Sequence, residues 1–168
     1  MNAKLDRMDR LTGNKKASGA HVILDYKTGS ANVGGWLGAR PDEPQLPLYA
    51  VAGGEDVAAV AFARVKAGEM ELRGIAREEE LLPGVRTISA QRTRGAKQYA
   101  SWDELLCGWR RELEALGREF ASGEARVDPK DKRNLATCRY CGVKPLCRVY
   151  ERYSAIEDEE SPGPGAPE

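Results

Sequence analysis

Apolar positions fall into several stretches of the chain, and the spacing within each predicts a different element. Residues 3 to 10 and 20 to 27 are two short segments joined by "TGNKKASGA", whose Gly, Asn and Ser suit a turn, so the pair predicts a β-hairpin with a long connection. "VAAVAFARV", residues 57 to 65, predicts a further strand, and "EMELRGIA" a weaker one. Between hairpin and strand, "TGSANVGGWLGARPDE" reads as loop and "PQLPLYAVA" as a short helix ended by Gly53-Gly54. Pro44 and Pro47 are compatible with that helix because first-turn N–H groups lack intrahelical partners, and Asp42 or Glu43 can cap it. The clearest helix spans residues 101 to 122. Ser101 and Glu104 form a capping-box pattern, and Trp102, Leu105, Leu106, Trp109, Leu113, Leu116 and Phe120 lie on one stripe at helical spacing, predicted to be core.

A chain of 168 residues with strands and helices in this order is expected to be one α/β domain plus an appendage. With 41% apolar and 31% charged residues it has an ordinary globular composition, and no run approaches the roughly 18 apolar residues that span a membrane. "MNAKLDRMDR" lacks an apolar core or small-residue cleavage site, so a cytoplasmic location is expected, where four cysteines are metal ligands sooner than disulfides. The net charge of zero hides segregation. Residues 86 to 100 carry Arg86, Arg92, Arg94 and Lys97 with no acid, residues 130 to 152 are mostly basic, and the tail from Glu157 is acidic with a Pro-Gly end. Basic blocks of this kind can track phosphates.

The candidate chemistry centres on "VILDYKTG", residues 22 to 29. Strand residues two apart share a face, so Asp25 and Lys27 project together while Leu24 and Tyr26 point the other way. Asp6, on the partner segment of the hairpin, can bring a second carboxylate beside Asp25. Two carboxylates with waters make an oxygen site for Mg²⁺ (or Mn²⁺), and an ammonium beside it can position attacking water and offset charge building on phosphorus, as phosphodiester hydrolysis needs. Asp9 has the opposite parity to Asp6 and is left out. Gln45 and Tyr49, four apart on the short helix, share a face from which they can reach the lysine, a metal-bound water or a DNA phosphate. A second motif is "CRYCGVKPLC": Cys138 and Cys141 can offer both sulfurs to one metal from a tight turn, and Cys147 returns after a short loop.

"LDRMDR", "VILDYKTG" and "QLPLY", in that order and spacing, resemble the consecutive motifs of the PD-(D/E)XK nuclease superfamily, in particular RecB-like and AddB-like exonuclease domains. The resemblance implies a restriction-endonuclease-like mixed sheet flanked by helices over residues 1–125, a cysteine-rich metal staple over 126–152 and a disordered tail over 153–168. It also implies that Asp6 and Asp25 bind the metal, that Lys27 is the catalytic lysine, and that Gln45 and Tyr49 form the accessory Q-x-x-x-Y motif. Its substrate would be DNA, single-stranded or duplex ends, in repair or recombination beside a helicase domain or subunit.

Related nucleases hold a [4Fe-4S] cluster with three C-terminal cysteines of this spacing and a fourth upstream. The resemblance therefore implies such a cluster on Cys138, Cys141 and Cys147, with zinc as the alternative. The upstream cysteine, and an N-terminal helix contributing to the active site, would precede residue 1, so a truncated or split subunit is expected; Cys107 is the other candidate for the fourth ligand. The second functional reading is a catalytically incomplete module that holds DNA or a partner without cutting.

Overall fold

The computed structural model describes residues 4–12, 17–54, 56–133, 135–151 and 153. The chain divides into two compact units, residues 1–121 and 122–168.

In the first unit the hairpin pairs β1 (Arg7–Arg10) antiparallel with β2 (His21–Lys27), and a Leu11 N–H to Ala20 O bond of 2.8 Å continues the pairing toward the turn. β2 runs parallel to β3 (Val57–Arg64), β3 antiparallel to β4 (Glu71–Ala76), and β4 parallel to β5 (Arg86–Thr87), so the mixed sheet has the order β1-β2-β3-β4-β5. A parallel step needs a crossover, and between β2 and β3 it carries α1 (Gln45–Ala52). β5 was not expected, since two residues are too few for an alternation to register.

Residues directly opposite one another on paired strands share a face. Ile23, Val60 and Ile75 therefore form one row across the sheet, and Val22, Ala59 and Ala76 a row on the other side. The first face carries the large side chains of the core, with Phe62 joined by Trp36, Leu46, Trp102, Leu105 and Trp109. The second is built of alanines with Val22 and Leu24, small enough for Ala17, Ala20, Leu81 and Val85 of the neighbouring turns to close over it. Gly74 in β4 has no substitute, because a Cβ there would lie 2.2 Å from the Val60 carbonyl oxygen.

The long helix is α2 (Trp102–Ala121). The Ser101 half of its capping box forms, Ser101 Oγ accepting from Glu104 N–H at 3.2 Å, while the Glu104 carboxylate reaches one residue further back and accepts from Ala100 N–H at 2.8 Å. Trp102, Leu105 and Trp109 are buried, while Leu106 and Leu113 pack on the cluster from its edge. Phe120, expected in the core, is 88% exposed, because the last turns of α2 extend past the cluster that buries the first ones. The cap expected for α1 also differs. Pro44 occupies the N-cap position without a side-chain bond, and Leu48 N–H to Pro44 O at 2.8 Å starts the helix with Pro47 still inside the first turn.

The second unit contains a 3₁₀ helix at Ala136–Cys138 and the single turn α3 (Lys144–Cys147). Leu135 and Arg148 take left-handed backbone angles, φ 51° and 52°, beside these turns. Lys144 Nζ donates to Arg139 O at 2.6 Å, and the Tyr153 hydroxyl to Val127 O at 3.1 Å. The expected disordered tail, apart from Tyr153, lies outside the described residues. Among the described residues no helix is long and apolar enough to cross a membrane.

Candidate active site

Asp25 is the buried charged residue of the sheet, 6% exposed, at the point where β2 changes from apolar to polar on the large-residue face. Its neighbour on β3 is Phe62, and Lys27 two residues on pairs with Arg64. Lys27 Nζ sits 3.0 Å from Asp25 Oδ2, 3.6 Å from Glu43 Oε2 and 5.3 Å from the centroid of the Phe62 ring. Asp25, and more weakly Glu43, hold the ammonium above the ordinary lysine value of 10.5 against the burial that opposes it. The lysine is therefore a cation at neutral pH. Asp25 Oδ2 makes this charge contact but no well-directed hydrogen bond, and Trp36 Nε1 is likewise buried without a hydrogen-bond partner.

Asp25, Lys27, Trp36, Glu43 and Gln45 line one cavity of about 250 Å³. Glu43 was not among the expected site residues; sequence reasoning took it for a helix cap, and no spacing rule ties a loop acid to a strand lysine. Its place is fixed by the backbone, since Glu43 N–H donates to Gly35 O at 3.1 Å. The Gly35–Trp36 loop is fixed in turn from α2, where Trp109 Nε1 donates to Trp36 O at 2.8 Å, and by Trp36 packing 4.6 Å from Phe62.

Asp6 stands one residue ahead of β1, whose pairing with β2 ends at Arg7 and Leu24. Its carboxylate accepts the Tyr26 N–H at 3.1 Å. Asp9 faces elsewhere, bonded to Arg7 at 2.8 Å. Gln45 and Tyr49 do meet, Nε2 donating to the hydroxyl at 3.3 Å, and Gln45 lines the same cavity as Lys27. The Tyr49 hydroxyl donates to Lys4 O at 2.8 Å, which ties α1 to the segment that delivers Asp6.

Among the described residues no group of three or more His, Cys, Asp or Glu is assembled to hold a metal ion. For a hard divalent ion that is no obstacle, since Mg²⁺ takes one or two carboxylates and keeps its waters. Asp25 fits this demand through its buried Oδ2, which has no hydrogen-bond partner. The cysteines do not fit as arranged. Cys138 and Cys147 are partly buried, Cys141 and Cys107 exposed, and Cys147 Sγ is turned to a local partner, donating to Lys144 O at 3.4 Å.

The model of the PD-(D/E)XK nuclease superfamily matches residues 2–148. No curated protein and no solved structure matches the chain. The matched span takes in the hairpin, the crossover helix, the whole sheet and α2, so the match rests on the fold that carries the site and not on the D-x-K triplet alone, and the chain belongs to the PD-(D/E)XK nuclease superfamily, a superfamily of metal-dependent nucleases.

Proposed function

We infer that the chain is a DNA nuclease of RecB-like type, cutting phosphodiester bonds at the end of β2. The observation that carries this reading is Asp25, buried at a strand end with Lys27 3.0 Å away and with the Asp6 carboxylate bound to the N–H of the next residue, Tyr26. In this reading Asp6 and Asp25 would hold a divalent ion, which would supply Lewis acidity for activating water and polarising the phosphoryl oxygen. The chain's own groups do the rest. Lys27, kept protonated by Asp25 and Glu43, donates hydrogen bonds to the attacking water or to the phosphate and offsets negative charge as it builds. Glu43 and the Phe62 ring restrict the lysine stem, so little reorganisation is needed when substrate arrives. Gln45 and Tyr49 act as positioning residues through the Lys4 carbonyl.

Action in repair or recombination beside a helicase belongs to the same reading and is supported by the order of the "LDRMDR", "VILDYKTG" and "QLPLY" motifs. A [4Fe-4S] cluster on Cys138, Cys141 and Cys147 is supported by their spacing. Iron with acid-labile sulfide in anaerobically purified protein bears it out; zinc without iron replaces it.

The deciding experiment is cleavage of an end-labelled single-stranded DNA in Mg²⁺ or Mn²⁺, run beside Asp25→Ala. Cleavage that vanishes in the variant supports the assignment. Equal cleavage by both overturns it, and DNA binding without cleavage by either identifies a binding module instead.

A further inference from the structure

On the large-residue face, the rows that contain Asp25 and Lys27 continue across the sheet. Asp25 pairs with Phe62 and Phe62 with Arg73; Lys27 pairs with Arg64 and Arg64 with Glu71; one row further back, Ile75 pairs with Arg86. Beyond the β3 edge of the site these positions open into a groove of about 940 Å³, which Arg92 borders from the loop after β5. Its charges are of two kinds. Arg64 and Arg73 are engaged by Glu71, and Arg64 also by Glu69, so they stiffen the floor. Arg86 and Arg92 are exposed, and no ion pair or hydrogen bond of either side chain is found among the described residues. Both belong to the stretch 86–100 that carries four basic residues and no acid. The loop bearing Arg92 is nevertheless held in place, because Gln91 Nε2 donates to Gly74 O at 2.8 Å.

The groove also has an apolar rim. Met70 is 81% exposed and Val65 48% exposed, and both line it. Duplex DNA presents phosphates to such a surface and keeps its bases stacked inside. A single strand presents phosphates and bare base faces together, and non-specific single-strand sites pair a cationic track with a surface for bases.

From this, and resting on the nuclease reading above, we propose that the groove is the binding track for the single-stranded DNA flanking the scissile phosphate. Arg86 and Arg92 meet backbone phosphates, and Met70 and Val65 meet bases. The strand then passes over the Arg64–Glu71 row to reach Lys27 and Asp25. Contacts of this type read no sequence, so the track sets strand type and not base preference.

The test is fluorescence anisotropy of labelled oligo(dT) with the full chain, in EDTA so that cutting plays no part, over a salt series from about 50 mM upward. Arg86→Ala/Arg92→Ala is expected to bind on the order of tenfold more weakly. The slope of log affinity on log salt is expected to fall by about 1.4, about 0.7 for each lost single-strand phosphate contact. Arg92→Glu alone, on an exposed loop, is expected to weaken binding in the same direction without touching a strand, and Arg110→Ala on the outer face of α2 is expected to bind as the wild type does. Wild-type affinity and slope in the double variant, with circular dichroism unchanged, overturn the track. So does a duplex of equal length that binds as tightly as oligo(dT) and loses as much in the variant. Failure of the nuclease reading shows elsewhere, as cleavage indifferent to Asp25→Ala.

Discussion

Along β2, seven consecutive residues take their positions from β3 and the first four of them from β1 as well, and the side chains of Asp25 and Lys27 arrive where the alternation sends them. Residues 136–148 are built differently, from one 3₁₀ turn, one α-helical turn and a left-handed residue at Arg148, with short local bonds between them. The first motif is spaced by a ladder that exists without any ligand. The second is written on turns, whose sulfurs a metal would draw together as it binds, because thiolate sites are rarely preformed. A motif on a strand can therefore be judged from the fold, whereas a motif on turns is judged by metal analysis.

The largest expected effect tests the ladder end. Asp25→Asn keeps the size of the side chain and removes its charge, and Lys27→Ala removes the cation; each is expected to reduce cleavage by about a hundredfold to a thousandfold, the scale of losing one preorganised electrostatic group. The measure is single-turnover cleavage with far-UV circular dichroism unchanged. Activity within a few fold of wild type in either variant would dissolve the role assigned to that residue.

Next is the support beneath the site. Trp109 is buried, and its indole bonds to Trp36 O in the loop that fixes Glu43. Trp109→Ala is expected to cost ~3–5 kcal/mol in urea unfolding, with activity at low urea lost before the global transition as the Gly35–Glu43 linkage loosens. Cys141→Ser is the counterpart in the cysteine segment. An exposed thiol on a turn is expected to change stability by less than about 0.5 kcal/mol in metal-free protein. A loss of several kcal/mol in protein purified with iron, accompanied by loss of that iron, would instead show that a metal builds this segment.

The contrast also marks what was legible in the sequence. Period and caps placed β2, β3, α1 and α2 within a residue or two, because each is long enough for its spacing to repeat or is bounded by Pro, Gly or a capping box. The side-by-side placement of Asp25 and Lys27 followed from strand parity alone. Glu43 and the Tyr49–Lys4 bond were not legible, since both depend on how the crossover folds back onto β2 and no local pattern encodes that return. Phe120 kept the helical period but not the burial, because periodicity gives the face of a helix and says nothing of where its neighbours end.

The smallest expected effect separates ion pairs held by the ladder from those held by sequence proximity. Glu71 pairs with Arg73 along β4 and with Arg64 across to β3, and these two arginines, Arg73 foremost, hold its carboxyl below the ordinary 4.5. Glu124 in the second unit is also held below 4.5, by the backbone and side chain of Arg126 two residues away. A depressed carboxyl contributes stability that is present above its unfolded value and lost as pH falls through its folded value, provided the depression disappears on unfolding. The cross-strand partner of Glu71 is lost when the sheet opens, while Arg126 stays beside Glu124 in any chain conformation. The melting temperature of Glu71→Gln is thus expected to lie slightly below wild type at neutral pH and to converge on it as the pH drops below about 4. Glu124→Gln is expected to track wild type across the whole range. Parallel thermal scans of the three proteins from neutral to acid pH decide the point: a Glu124→Gln curve that diverges as much as Glu71→Gln would mean that the turns of the second unit hold their pairs as firmly as the strands do.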